Sequence, residues 1–305
     1  MSSRRFWVPL AIAGAVILFV VGSLLVVYTA APGERLPVFA GGRIAVLPVR
    51  GAIDDEARLL EQIREFRRDG SVKGFVAYFD SPGGAVAPSQ SLYRELVRLR
   101  DDGYPVIAAI GSVGASGAYY AALGADSIVA LPGSITGSIG VLMEFPNAQE
   151  LLRKVGLRLD VVKSSAHKDI GSPFREMTDE ERALMQSVVD DVYDQFVDVV
   201  ANERNLSRDS VLQVADGRVL SGRSARAYGL IDTEGDLVDA IAMAGRMSGL
   251  GPEPRTLLPR ERRRSLLDLA ARAAGSIIGG RLGVGDALTE SLIEGTPRLL
   301  YLFQR

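Results

Sequence analysis

Four apolar runs of strand length, spaced along the first half of the chain, constrain its fold more than any other feature. They are "RIAVLPV" (43–49), "VKGFVAYF" (72–79), "PVIAAI" (105–110) and "SIVAL" (127–131). None keeps the strict apolar–polar alternation of a strand with one wet face, so both faces need cover. Helical segments lie between them. One carries Leu59, Leu60, Ile63 and Phe66 on a single face, a second is "PSQSLYRELVRLRDDG" (88–103), and a third is a small-residue segment around Ser116. This alternation predicts an α/β fold whose mostly parallel sheet is covered on both sides. Further on, "NAQELLRKVG" reads as helix and "LDVVKS" (159–164) as strand. Thr178 and Glu181 have the spacing of a capping box opening a long helix that runs to about Glu203. Ser207 starts a second capped turn, and a helix is expected near 235–248.

Ahead of this pattern, 28 consecutive uncharged residues lie between Arg5 and Glu34. A bilayer core takes ~20 apolar residues as a helix, and a cleaved secretory signal has a shorter apolar stretch. The expectation is a transmembrane anchor within residues 1–31, a linker at 32–42, a main folded domain at 43–249 and an extension at 250–305. Arg4 and Arg5 precede the run, whereas Glu34 and Arg35 balance each other after it. The positive-inside rule then puts the short N-terminus in the cytoplasm and the remainder on the extracytoplasmic side of the cell membrane.

Composition removes several chemistries. There is no cysteine, hence no disulfide and no thiolate nucleophile or ligand. A single histidine excludes zinc sites built on two or three imidazoles. A net charge of −2 gives no electrostatic footprint for nucleic acid. No metal or cofactor is expected.

Three glycine-rich turns remain. "DSPGGAV" (80–86) follows the second strand, at the end where ligands gather in parallel sheets. "GASGAYY" (114–120) follows the third, with Ser116 where strand gives way to helix. "GSITGSIG" (133–140) is the last. Small neighbours around a serine serve close packing, or they admit a substrate backbone to a nucleophile. A nucleophilic serine needs a base. His167 and Lys168 stand side by side in "SSAHKDIGSP", and residue chemistry alone leaves both open.

Taken in order, "DSPGGAV", "GASGAYYAA", "TGSIGV" and "HKDIGSPFREMTDEER" resemble the bacterial signal peptide peptidase A family of membrane-anchored Ser–Lys peptidases, over residues 43 to 245. The resemblance implies a Clp protease/crotonase-like ββα spiral. It implies Ser116 as nucleophile, Lys168 as general base and Ser138 as the hydroxyl that orients the lysine. Gly84 and Gly117 would supply the oxyanion N–H groups, and His167 has no role in the motif. The chain corresponds to the short form of the family, which implies a ring-like homo-oligomer with sites built partly between copies. The implied substrates are signal peptide remnants and other apolar peptides, with the bilayer as a second partner through the N-terminal helix. Two rivals share the fold: a crotonase-type acyl-CoA enzyme and a non-catalytic membrane scaffold.

The extension is less constrained. Arg262, Arg263 and Arg264 precede a stripe of Leu266, Leu269, Ala270, Ala273 and Ile277, which suits a packed terminal helix or a membrane surface. Alternatively, the final "TPRLLYLFQR" reaches an active-site groove as a peptide-like occupant.

Overall fold

A computed structural model of the chain describes residues 41–259 and 300–302. The expected anchor, almost all of the linker and the Leu266–Ile277 stripe lie outside the described residues. Among those described, no helix is long and apolar enough to cross a membrane.

The four apolar runs form the centre of a mixed sheet. Strand β1 (Arg43–Arg50) pairs in parallel with β2 (Val72–Ser81), which pairs in parallel with β4 (Val106–Gly114). The long β4 serves two neighbours, taking parallel β5 (Ser127–Ala130) along Ile107–Ile110 and β6 (Ile135–Gly137) at Val113. Parallel β8 (Thr233–Glu234) lies beside β5, and the other edge of β1 carries parallel β9 (Arg255–Leu257). Antiparallel pairing enters at the margin of this sheet, where β7 (Val219–Ser221) joins β6, and outside it, where β10 (Leu300–Leu302) pairs with Gly83–Ala85. The short β3 (Gly83–Ala85) stands apart from this sheet.

Period-two alternation sorts the buried strand residues into two cores. Ala45, Leu47, Val49, Phe75, Ala77 and Phe79 face the larger one, under helices α1 (Ala57–Arg68), α2 (Val86–Asp101), α3 (Gly117–Ala122) and α5 (Asp179–Arg204). Ile44, Val46, Val76, Ile107 and Ala109 face the smaller, covered through Ala240 and Ala244 by α8 (Leu237–Met247), the helix that follows the short α7 (Gly222–Ala227). Two-sided burial is why the strands read as continuous apolar runs.

Helix α2 starts two residues earlier than the sequence suggested, and Pro88 falls in its first turn, where an N–H has no intrahelical partner to lose. The Thr178–Glu181 capping box opens α5 as expected, and Ser207 caps α6 (Arg208–Leu212). One expectation is corrected. "LDVVKS" is not a strand: after α4 (Gln149–Lys154) the chain is irregular and exposed, and Val162 is wholly so. Its valines have strand propensity, but among the described residues no sheet neighbour takes up its backbone groups.

Candidate active site

The carboxyl ends of β2 and β4 bring two of the glycine turns together. Ser81 closes β2 opposite Gly114, and its carbonyl accepts the Ala115 N–H at 3.3 Å. The third turn is tied to the same place. Thr136 Oγ1 donates to the Gly114 carbonyl at 2.7 Å, and the Ser116 N–H donates to the Gly137 carbonyl at 2.8 Å. Ser116 and Ser138 are thereby held on adjoining turns.

Ser116 is 1% exposed, at φ 55° and ψ −119°, the residue immediately before α3. A positive φ costs a non-glycine residue roughly 1–3 kcal/mol and persists only where its surroundings enforce it. The Ser116 carbonyl accepts the Tyr120 N–H at 2.8 Å, which fixes the residue from the helix side as well. Ser138 is also buried at a positive φ of 52°, its N–H donating to the Arg218 carbonyl at 2.8 Å. Two buried serines at positive φ thus stand on adjoining turns. Packing nevertheless claims α3 itself, all six of whose residues are buried. Tyr119 Oη donates to the Leu230 carbonyl at 2.8 Å, and the Tyr120 ring packs edge-on to Tyr93 and Phe196. Small residues around Ser116 therefore serve close packing.

Gly84 sits at the middle of β3, bracketed by Ile53. The Ile53 N–H donates to the Gly83 carbonyl at 2.8 Å, and the Ala85 N–H donates to the Ile53 carbonyl at 2.9 Å. Backbone groups of a strand alternate sides, so the N–H and C=O of Gly84 itself are turned away from Ile53. A Cβ on Gly84 would stand 2.4 Å from the Ile53 nitrogen and oxygen, so no side chain fits. Gly117, directly after Ser116, opens α3 and presents a first-turn N–H. Ile53 was not legible as a site residue, because it acts through its backbone.

Lys168 stands on the irregular segment between α4 and α5. It is exposed, in a turn whose Lys168 N–H donates to the Ser165 carbonyl at 3.3 Å. Among the described residues, no hydrogen bond joins its ammonium to Ser116 or Ser138. Exposed Leu151, Val155, Leu157, Val161, Val162 and Phe174 share its segment. His167 is exposed beside Glu180, with Nε2 3.8 Å from Oε1.

The Lys168 loop is nonetheless shaped by a clamp that the sequence reading missed. Arg175 donates Nε and Nη2 to the two Asp169 carboxylate oxygens at 2.9 and 2.8 Å, and Nη1 and Nη2 to Glu181 at 2.7 and 2.5 Å. Lys163 Nζ adds a bond to Asp169 Oδ1 at 2.6 Å. Arg175 and then Lys163 hold the Asp169 carboxyl well below the usual range. Arg175 and then the Thr178 N–H pull Glu181 down to about 2. Glu181, its side chain 4% exposed, therefore both caps α5 and anchors the residue next to Lys168. The signal was present in "REMTDEE", where an arginine stands six residues before the capping glutamate.

Comparison with known proteins adds an independent line. A family model described as peptidase family S49 matches residues 98–250. A Synechocystis sp. protein carrying a protease name is 39% identical over 213 residues, 69% of this chain and 76% of its own length. An Enterococcus faecium protein carrying a signal peptide peptidase name is 37% identical over 182 residues, 60% of this chain and 53% of its own. Protease 4 of Salmonella typhi is 34% identical over 225 residues, 71% of this chain and 36% of its own.

Proposed function

The chain belongs to peptidase family S49, and on that premise we propose that it is a membrane-tethered serine endopeptidase with a Ser116–Lys168 dyad. One observation carries this: Ser116 is forced into a strained conformation beside Ser138, on turns that also gather the backbone of the Gly83–Ala85 strand. The parallel sheet with its site at strand-to-helix turns supports the finer fold assignment, a Clp protease/crotonase-like ββα spiral.

Ser116 Oγ attacks the scissile carbonyl carbon, and neutral Lys168 takes its proton. Charge developing on the carbonyl oxygen falls to the N–H groups of Gly84 and Gly117, oriented before reaction begins. Lys168 then protonates the leaving amine, and later draws a proton from the water that releases the acyl group. Ser138 holds the lysine amine in line.

A base lysine must be neutral, which requires removal from water. Lys168 is exposed in the single chain, and so are the apolar side chains of its segment. Both facts favour delivery of Lys168 to the Ser116 of a neighbouring copy in a ring-like homo-oligomer, where docking buries the segment. The uncharged run of residues 6–33 supports tethering, with the site extracytoplasmic and close to the bilayer, where remnants of cleaved signal peptides and other apolar peptides are released. Labelling the full chain with a serine-reactive fluorophosphonate, then mapping the adduct, tests the proposal. The adduct is expected on Ser116 and is expected to vanish in Lys168→Ala. An adduct on another serine overturns it.

A further inference from the structure

Ser81 closes β2 and is fully buried. A hydroxyl removed from water that completely needs partners inside the protein. The Gly83 N–H donates to Ser81 Oγ at 3.2 Å, across Pro82, in the local side-chain turn that serine favours. A longer contact of 3.4 Å runs from Ser81 Oγ to the Gly83 carbonyl. The main chain of Ser81 reaches a different turn. Its carbonyl accepts the Ala115 N–H at 3.3 Å, and it pairs with Gly114 where β2 and β4 rejoin after an irregularity in register. Ser81 is therefore bonded to the residue before Ser116 and also to the residue before Gly84.

The peptide planes of the glycine turn show what these bonds control. A trans peptide is flat, with its C=O and N–H pointing opposite ways. The Ile53 N–H holds the Gly83 carbonyl at 2.8 Å, so the Gly84 N–H of the same plane is aimed away from Ile53. The following plane is fixed by the Ala85 N–H on the Ile53 carbonyl at 2.9 Å. The preceding plane, between Pro82 and Gly83, is fixed by Ser81 Oγ. Gly83 joins the first two of these planes at a φ of 103°, where a residue without Cβ turns freely unless hydrogen bonds hold it. Without the Ser81 hydroxyl, the buried Gly83 N–H loses its partner, and rotation of that plane toward another is favoured.

We propose that Ser81 is a positioning residue that sets the Gly84 donor in register with the Ser116 nucleophile. This rests on the peptidase reading above and adds to it the link that couples the two turns. Attack needs the serine oxygen at the carbonyl carbon while the donor meets the carbonyl oxygen. Those two substrate atoms are a bond length apart, so the turns must keep a fixed spacing. Ser81 acts on that spacing through Gly83 and Ala115, and takes no part in the chemistry itself. Its loss is felt in the transition state far more than in ground-state binding.

Ser81→Ala removes the hydroxyl, and Ser81→Cys keeps its shape with a sulfur that accepts hydrogen bonds only weakly. For cleavage of an apolar peptide by Ser81→Ala, kcat should fall roughly tenfold to a hundredfold, with KM within about threefold of wild type. Ser81→Cys should show the same split at smaller size. Two inhibitors built on one apolar sequence give a readout that loosened folding does not move. A peptide aldehyde adds Ser116 Oγ across its carbonyl and sets an oxygen at Gly84, whereas the matching alcohol only binds. The aldehyde's Ki should rise by about the factor that kcat falls, and the alcohol's should stay within about threefold. Ser248→Ala is the control, removing a 3.0 Å hydroxyl bond to the Lys73 carbonyl at the far end of β2, and it should leave all of these values unchanged. Both Ser81 variants keeping kcat within about threefold, or equal weakening of aldehyde and alcohol, overturns the proposal. A wild-type chain that neither cleaves the peptide nor takes a fluorophosphonate on Ser116 overturns the peptidase reading, and this inference with it.

Discussion

Gly84→Ala asks whether the oxyanion donor is held where the backbone geometry places it. A Cβ there would meet the Ile53 nitrogen and oxygen at 2.4 Å. Ordinary contact needs ~3.5 Å, so the two backbones must part by about 1 Å. Gly83 and Ala85 are each bonded to Ile53, so the whole turn has to move together. Misplacing a catalytic group by that distance can cost about 10²-fold, and losing one oxyanion donor costs about 10²–10³-fold in kcat. The expected result is a kcat lowered by about two orders of magnitude, with KM far less affected. The assay is steady-state cleavage of a fluorogenic apolar peptide, with thermal melting alongside to confirm folding. Gly133→Ala is the matched control, because nothing stands within 4 Å of its would-be Cβ. If Gly84→Ala keeps kcat within about threefold of wild type, the Ile53 loop yields instead and the donor assignment is wrong.

Arg175→Ala should release the Lys168 loop, lowering kcat by roughly 10-fold to 10²-fold and abolishing amide-exchange protection across residues 163–177. In the native chain that protection has a defined pH window. Glu181 is depressed from 4.5 to about 2 by its partners, so the clamp's contribution is complete above the ordinary value and is lost as pH falls toward about 2. Equal protection in the variant and the wild type would remove the clamp from the account. Ser116→Ala and Lys168→Ala chains, each inactive, should regain measurable activity on mixing if the dyad forms between copies, and an inactive mixture would place Lys168 in its own chain's site. Val162→Glu should disperse the oligomer in sedimentation without lowering thermal stability, whereas an unchanged sedimentation profile would put the contact elsewhere.

Much of this was legible in the residues because each signal was local. The four strands announced themselves through two-sided burial, and the capping box through a fixed Thr178–Glu181 spacing. Ser116 stood out because small residues crowd where backbone must approach backbone, whereas Gly84 and Ser138 were assigned only through the resemblance to a family. Contacts made through the main chain left no such trace. Ile53 contributes its N–H and carbonyl, which any residue has, and the pairing of β10 with β3 joins segments more than two hundred positions apart. "LDVVKS" misled for the opposite reason: its valines carry a strand's propensity, but propensity needs a neighbour to pair with. The Arg175 clamp escaped because Glu181 was already explained by its cap, and a carboxylate with two oxygens can serve two partners.

The dyad is tested most directly by kcat/KM for one apolar peptide across four single substitutions at the site. Ser116→Ala, Lys168→Ala and Lys168→Arg should each fall to near background, the last because a guanidinium does not give up its proton at working pH. His167→Ala should keep at least about a tenth of wild-type activity, since losing a general base usually costs about 10²-fold or more. An inactive His167→Ala beside an active Lys168→Ala would contradict the assignment of the base.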